Sequence, residues 1–236
     1  RKLEATSPDA ALYPDYYLDD LLVESARIET RMFFSELLHN NLPASNLVSS
    51  DFAMLNERLA AHYALRPVEG VNLRRVTLPK DSVRGGLMTQ ASVLKVTANG
   101  TTTSPVLRGV WIMDRLVGQH PPPPPPGVPA VEPDIRGATT LRELLDKHRN
   151  SETCNGCHRI IDPPGFALEN FDVTGRWRTS YRAIPDSAKD KVVNVPGTDV
   201  RFYTQGRPVD PSFTMADGRP FKDVDEFKQL ILAQPE

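Results

Sequence analysis

The spacing of apolar residues predicts two helices near the start of the chain. Over residues 15–38, apolar side chains recur close to the 3.6-residue period of an amphipathic helix. Pro43 prevents the helix from continuing, because proline lacks an N–H donor. The apolar residues of 51–64 also share one helical face and predict a second helix. We expect these two helices to pack together as a helical hairpin.

The pattern changes over residues 66–103, where few helical periods occur and where we expect extended chain and loops. The run 93–97 is rich in β-branched residues, and the pair Asn99-Gly100 suits a tight turn. Together they predict a short β-hairpin near residues 91–103.

Another helix is predicted after this hairpin. Ser104 suits an N-cap, Pro105 suits the first helical position, and Gly118 can end the helix in a left-handed conformation. Its inner face is expected to consist of apolar residues at helical spacing, namely Val106, Val110, Met113 and Val117.

The last hundred residues predict two further helices separated by irregular chain. The spacing Thr140-x-x-Glu is the pattern of a capping box, and the helix that it opens carries His148 on its apolar face. Residues 162–165, with two prolines and a glycine, predict a turn. Residues 166–222 look irregular, and a final short helix is expected over 223–233 with Asp223 as its N-cap.

Composition and charge argue against a nucleic-acid-binding protein and against a membrane-spanning protein. A net charge of −2 in 236 residues gives no field that favours nucleic acid or an anionic membrane. The longest apolar runs fall short of the roughly 18 residues of a membrane helix. The chain begins at Arg1 and shows no signal peptide, so we expect a mature product or a fragment of a longer protein.

The chemistry of the chain is concentrated in Cys154-Asn155-Gly156-Cys157-His158. This C-x-x-C-H spacing is the attachment signature of a c-type haem, in which two thiols form thioethers and the histidine binds the iron. Cys154 and Cys157 are the only cysteines, so a four-sulfur metal site is excluded within one chain. The alternatives are a redox dithiol and a local disulfide, which need no adjacent histidine and for which we expect a strand before the motif. We predict one covalent haem c with iron per chain.

The prediction of a haem defines the expected domains. The proline run from Pro121 to Pro126 favours a stiff polyproline II spacer of about 3.1 Å per residue. The alternative is that a proline-binding module recognises this segment. We therefore divide the chain into a helical and loop domain over 1–120, a linker over 121–136 and a c-type haem domain over 137–236. The expected fold class is mainly α with long irregular loops.

The ligand on the second face of the iron stays open at this stage. Met215 lies 57 residues beyond His158, a separation like that of small single-haem cytochromes. His148 is the main histidine alternative, and an open coordination position is a third possibility. Further candidates for this ligand, for propionate pairing and for ring packing are His62, His120, Met88, Met113, Arg84, Arg108, Arg176, Arg178, Trp111 and Trp177.

Four segments resemble a known family. Residues 84–94, 103–111, the proline run and 154–172 together resemble the large secreted cytochrome-c-like proteins of planctomycetes, which join several domains of unknown function. Pro164 stands where that family usually has leucine. The resemblance implies a haem-bearing protein that is exported to the periplasm or cell exterior, with a further helical domain after the point where this chain stops.

These features predict a monohaem protein that transfers single electrons to a redox partner protein or domain. One alternative is a peroxidase- or oxidase-type enzyme with an open iron, in which His148 assists proton transfer. Another is a haem-bearing module of a polysaccharide-processing protein. The sequence does not decide whether the protein is an enzyme.

Overall fold

The computed structural model describes residues 7–122, 134, 136, 139–149, 152–185, 192–194 and 201–234. These residues form seven α-helices with short antiparallel strand pairs, so the prediction of a mainly helical protein is confirmed. Residues 123–133 of the proline segment lie outside the described residues, and the linker over 121–136 therefore stays a prediction.

The first predicted helix is confirmed. A 3-10 turn over Pro14–Leu18 leads into α1, Asp20–His39, whose first turn is capped by the Asp19 carboxylate. Asn40 follows the last helical residue, in agreement with the predicted end before Pro43.

The second predicted helix is wrong over its first half. Strand β1, Phe52–Leu55, is buried at all four positions, and only then does helix α2, Glu57–His62, begin. Four consecutive apolar residues fit a buried strand as well as a helical face, which is why the pattern misled the prediction. Strand β1 pairs antiparallel with β2, Arg74–Thr77, and α1 packs on both β1 and α2.

The predicted hairpin near residues 91–103 is also wrong. A 3-10 turn over Leu87–Thr89 is followed by helix α3, Ala91–Val96. Only the predicted turn at Asn99-Gly100 is present, where one isolated β-bridge pairs Ala98 with Thr103. The β-branched residues of α3 are placed by their packing, which overrides a weak intrinsic preference.

Helix α4, Pro105–Ile112, begins as predicted, with the Ser104 hydroxyl accepting from the Leu107 amide. It continues as a π-helical turn over Met113–Val117 and ends at Gly118, whose φ is +72°. Its inner face differs from the prediction, because Arg108, Gly109 and Ile112 are buried whereas Val106 and Val110 are half-buried.

Helix α5, Leu141–His148, has the predicted capping box between Thr140 and Glu143. Helix α6, Glu152–Phe166, carries the C-x-x-C-H motif and runs through Pro163 and Pro164, so the turn predicted at 162–165 is wrong. Each proline removes one backbone hydrogen bond, but close packing against α4 keeps this segment helical.

The irregular region predicted at 166–222 contains two small sheets. Strands β3, Ser180–Ala183, β4, Val192–Asn194, and β5, Arg201–Pro208, form an antiparallel sheet in the order β3-β5-β4. Strands β6, Phe213–Thr214, and β7, Pro220–Phe221, form a hairpin. Helix α7, Val224–Leu232, follows with Asp223 as its N-cap, as predicted.

The main hydrophobic core combines residues from both sides of the proline segment. Val48, Met88 and Ile112 come from before it, while Phe171 and Phe227 come from after it. The division into a domain over 1–120, a linker over 121–136 and a haem domain over 137–236 stays a prediction. Within the described ranges, no helix is long and apolar enough to cross a lipid bilayer.

Candidate functional site

Helix α6 has one exposed half and one buried half. Cys157 is exposed, Cys154 is half-buried, and the His158 side chain is 14% exposed. From Ile161 onward every residue of the helix is buried. Since one helical turn separates the two cysteines and the histidine follows directly, the motif places two sulfurs and one imidazole at the surface of a helix whose other end is anchored.

A buried carboxylate orients the imidazole. The Nδ1 atom of His158 lies 2.9 Å from the Oδ1 atom of Asp162, four residues later on the same helix, and Asp162 is 0% exposed. The other carboxylate oxygen, Oδ2, is 3.5 Å from the Nη1 atom of Arg149. Because Nδ1 faces the carboxylate, Nε2 is the ring nitrogen at which this histidine would bind a metal.

Helix α5 and the β6–β7 hairpin hold Arg149 in place. Arg149 also pairs with Asp146 of α5, and its guanidinium lies 5.4 Å from the centre of the Phe213 ring. Phe213 in turn stacks on Phe166, the last residue of α6, with 5.2 Å between the ring centres. Arg142 of α5 adds hydrogen bonds to the carbonyl oxygens of Asp210 and Ser212 in the loop before β6.

The buried half of α6 is fixed against α4 by glycines. A side-chain carbon on Gly109 of α4 would overlap the carbonyl group of Ile161. A side-chain carbon on Gly165 of α6 would overlap the backbone of Pro105. The two helices therefore approach each other backbone to backbone, which is the tightest packing that two helices can adopt.

The residues present fit the protein side of a c-type haem attachment. No disulfide joins Cys154 and Cys157 in the described structure, and among the described residues the element before α6 is helix α5 rather than the strand expected for a redox dithiol. The described residues contain no group of three or more histidine, cysteine, aspartate or glutamate side chains that could hold a metal ion by themselves. The buried Oδ2 atom of Asp162 has no hydrogen-bond partner among the described residues, which is uncommon for a buried polar atom and calls for an explanation.

Met215, the leading candidate for the second iron ligand, lies in the turn of the β6–β7 hairpin. Its amide donates to the carbonyl of Arg219, and its half-buried side chain packs against the main core. The hairpin contacts the C-terminal end of α6 through Phe213, about 12 Å along the helix from His158. The side chain of His148 lies outside the described residues.

The remaining ligand candidates have structural explanations. His62 is buried, with its Nε2 atom 2.9 Å from the carbonyl oxygen of Thr174, and burial lowers its pKa to about 4. Met88 and Met113 are buried in or beside the core. His120 is exposed and contacts the Asp114 carboxylate.

The arginines suggested for propionate pairing have protein partners. Arg108 is fully buried and donates to the carbonyls of Leu168, Phe171 and Asp172. Arg84 donates to the carbonyls of Thr89 and Gly175, Arg178 pairs with Glu169, and Arg176 pairs with Asp15. Trp111 and Trp177 pack against the main core. The four arginines and the two tryptophans therefore have protein contacts that explain their positions without a cofactor.

Sequence reasoning missed Asp162 and Arg149. The spacing of four residues between His158 and Asp162 was visible, but it indicates a contact only if the segment is helical. The two prolines after Asp162 suggested a turn and hid that contact.

Comparison with protein families supports the resemblance noted from the sequence. Residues 1–65 match the family PSD4, described as a protein of unknown function (DUF1592), and residues 84–181 match PSCyt3, described as a protein of unknown function (DUF1588). Both are families of planctomycete-type cytochrome-c-like domains. The second match contains Cys154, Cys157 and His158. No significant match to a curated protein or to a solved structure was found.

Proposed function

We propose that this chain carries one covalently attached haem c and transfers single electrons outside the cytoplasm. The observation that carries the proposal is the arrangement on α6, where two thiols one turn apart precede a histidine whose Nδ1 atom is held by a buried carboxylate. The match of residues 84–181, which include the motif, to a family with a cytochrome-like name also supports it.

Each residue of the motif has one role. Cys154 and Cys157 would form the thioether links and so hold the cofactor against α6. His158 would bind the iron through Nε2, and Asp162 favours the tautomer that leaves this nitrogen able to bind. A bound haem would supply reversible exchange of one electron between ferric and ferrous iron.

We propose Met215 as the second axial ligand. Its place in a turn rather than in a helix or strand interior supports this, because a turn can adjust its backbone to a ligand. The contact between β6 and α6 also supports it, because it joins the hairpin that carries Met215 to the motif helix. His148, on the helix that directly precedes the motif helix, is the alternative.

The proposed location is the periplasm or cell exterior, because bacterial c-type haem is attached outside the cytoplasmic membrane. A redox partner, either a separate protein or another domain, is needed to deliver and remove the electron. The exposed half of α6 is the part of the described surface nearest to the proposed cofactor.

The test is production of the chain in a periplasm that attaches c-type haem. We expect a mass increase of one haem that survives denaturation, and a reduced pyridine adduct typical of two thioether links. Cys154→Ala with Cys157→Ala should abolish the covalent mass increase, and Gly156→Ala is the matched control within the motif, since nothing lies near that position. A wild-type chain without added mass under conditions that load a control cytochrome would overturn the proposal.

A second candidate is a haem enzyme that reduces peroxide. The contact that favours it is the carboxylate on Nδ1 of His158, because such a partner makes the imidazole a stronger electron donor to a bound metal. The two candidate functions predict different responses of the absorption spectrum to cyanide. Electron transfer predicts a spectrum that does not respond to cyanide, whereas the enzyme predicts a high-spin spectrum that does.

A further inference from the structure

Burying the Asp162 carboxylate costs free energy, and its position in the helix offers no stabilisation that would offset this cost. A carboxylate one turn before the C-terminal end of a helix opposes the helix dipole. The order of the pair, with the basic residue N-terminal and the acidic residue four positions later, is also the less favourable one in helices. An ionised carboxylate that is 0% exposed must be compensated by close partners.

The partners of Asp162 divide between its two oxygen atoms. Oδ1 accepts from Nδ1 of His158 at 2.9 Å, within hydrogen-bond distance. Oδ2 has no hydrogen bond among the described residues, and the Nη1 atom of Arg149 is 3.5 Å away. The histidine therefore receives the one strong hydrogen bond of this carboxylate, while the arginine contributes charge at a longer distance.

Arg149 is itself positioned from a different part of the chain. It follows helix α5, pairs with Asp146, and lies over the ring of Phe213. Its side chain is only 15% exposed, so its charge is poorly screened by solvent. The distance between Arg149 and Asp162 thus depends on how α5 packs against α6 and the β6–β7 hairpin.

We propose that Asp162 is a positioning residue that sets the reduction potential of the haem through His158, and that Arg149 tunes this effect. The inference rests on the proposed function, because it needs His158 as an axial ligand. A carboxylate that accepts from Nδ1 increases electron donation from the imidazole and favours the ferric state, which lowers the potential. The positive charge of Arg149 weakens the carboxylate as an acceptor and opposes that shift.

The experiment is a spectroelectrochemical titration of the haem-loaded full chain and its variants. Asp162→Asn keeps the size of the side chain and should raise the potential. Arg149→Gln should lower it, since the carboxylate then acts on His158 without an opposing charge. Glu24→Gln is the control, because it removes an exposed carboxylate that pairs with an arginine on α1 and contacts neither Arg149 nor His158, and its potential should stay close to wild type.

A second readout separates the hydrogen bond from simple loss of charge. In the reduced, low-spin protein, the Nδ1 proton of His158 should be slow to exchange with solvent, because it is bonded to a buried acceptor. Asp162→Ala should make this exchange fast, whereas Glu24→Gln should leave it slow. Loss of a charge alone shifts the potential but does not slow exchange, so fast exchange at Nδ1 in the wild-type protein would contradict a hydrogen bond to Asp162.

The outcomes distinguish the two proposals. If the wild-type chain carries haem but Asp162→Asn and Arg149→Gln shift the potential in the same direction or not at all, the inference is wrong and the proposed function stands. If Asp162→Asn does not fold, Arg149→Gln and proton exchange in the wild type still decide the question. If the wild-type chain attaches no haem, both proposals are overturned.

Discussion

Gly109 of α4 and Ile161 of α6 are in backbone contact, so that any side-chain carbon at residue 109 would overlap the carbonyl group of Ile161. Ile161 comes three residues after His158, at the point where α6 changes from exposed to buried. The contact therefore fixes the depth at which the motif helix sits in the protein. Gly109, which is far from the motif in sequence, thus determines the position of His158 relative to the protein surface.

The first prediction concerns this close approach. Gly109→Ala should lower the free energy of unfolding by about 1–3 kcal/mol, because the new methyl group forces the two helices apart. Urea unfolding measures the change. Gly156→Ala lies on the exposed half of α6, where nothing is within 4 Å, and should be neutral or slightly stabilising. Equal effects of the two substitutions would contradict the packing described here.

The second prediction concerns Arg108, whose guanidinium donates to the carbonyls of Leu168, Phe171 and Asp172 at 2.7–3.0 Å. Arg108→Lys should reduce the free energy of unfolding by more than about 2 kcal/mol, since an ammonium group cannot reach all three acceptors and leaves some of them unpaired. Thermal and urea unfolding measure the loss.

The control for this change is Arg115→Lys in the π-helical turn that follows α4. The Arg115 side chain is 70% exposed and pairs with Asp114, so its replacement should change stability by less than about 0.5 kcal/mol. A loss at Arg115 comparable to that at Arg108 would show that arginine content, rather than the buried network, determines the effect.

The third prediction concerns pH. Burial raises the pKa of Glu29 from its ordinary value of 4.5 to about 8, although the Tyr63 hydroxyl donates to its Oε2 atom at 2.6 Å. The folded chain therefore holds this proton more tightly than the unfolded chain. The stabilising effect of the protonated carboxyl is complete at acidic pH and is lost as pH rises through the window between those two values.

Glu29→Gln keeps the hydrogen-bond acceptor and removes the titration. Its free energy of unfolding relative to wild type should increase by about 1.4 kcal/mol for each pH unit within that window and become constant above it. Urea unfolding of both proteins across the window measures this. Glu24→Gln is the control on the exposed side of α1, and a similar slope there would refute the assignment to Glu29.

The fourth prediction tests the second iron ligand. In the haem-loaded protein, Met215→Leu should abolish the weak far-red charge-transfer band expected of methionine ligation and should create a response to cyanide. Met113→Leu, a change of a buried core methionine, should leave both unchanged. Persistence of the band in Met215→Leu would remove Met215 as the ligand.

The parts of the fold that could be predicted are those determined by neighbouring residues. Ser104, Thr140 and Asp223 were identified as N-caps because their side chains bond amides two or three residues away, and all three helices begin there. The C-x-x-C-H motif is equally local, so the sequence was enough to name its three residues. Gly118 was also predicted correctly as a helix end, because its left-handed conformation is a property of glycine itself.

The errors lie where distant contacts decide the outcome. Residues 52–55 form a strand because β2 lies twenty residues away to pair with them. Residues 162–165 stay helical because Gly165 fits against Pro105 on α4. The contact between His158 and Asp162 exists only because this segment is helical, so the proposed control of the histidine could not be found before the helix was known to continue through its prolines.

The division of α6 into two halves bears on the maturation of the protein. The buried half is held entirely by polypeptide groups, through Gly109, Gly165 and the stacked rings of Phe166 and Phe213. The half that carries the thiols can therefore reach its helical form before any thioether is made. If the proposed haem is attached, chain folding and cofactor addition are then separable stages, and we expect the unmodified polypeptide to be a stable intermediate between them.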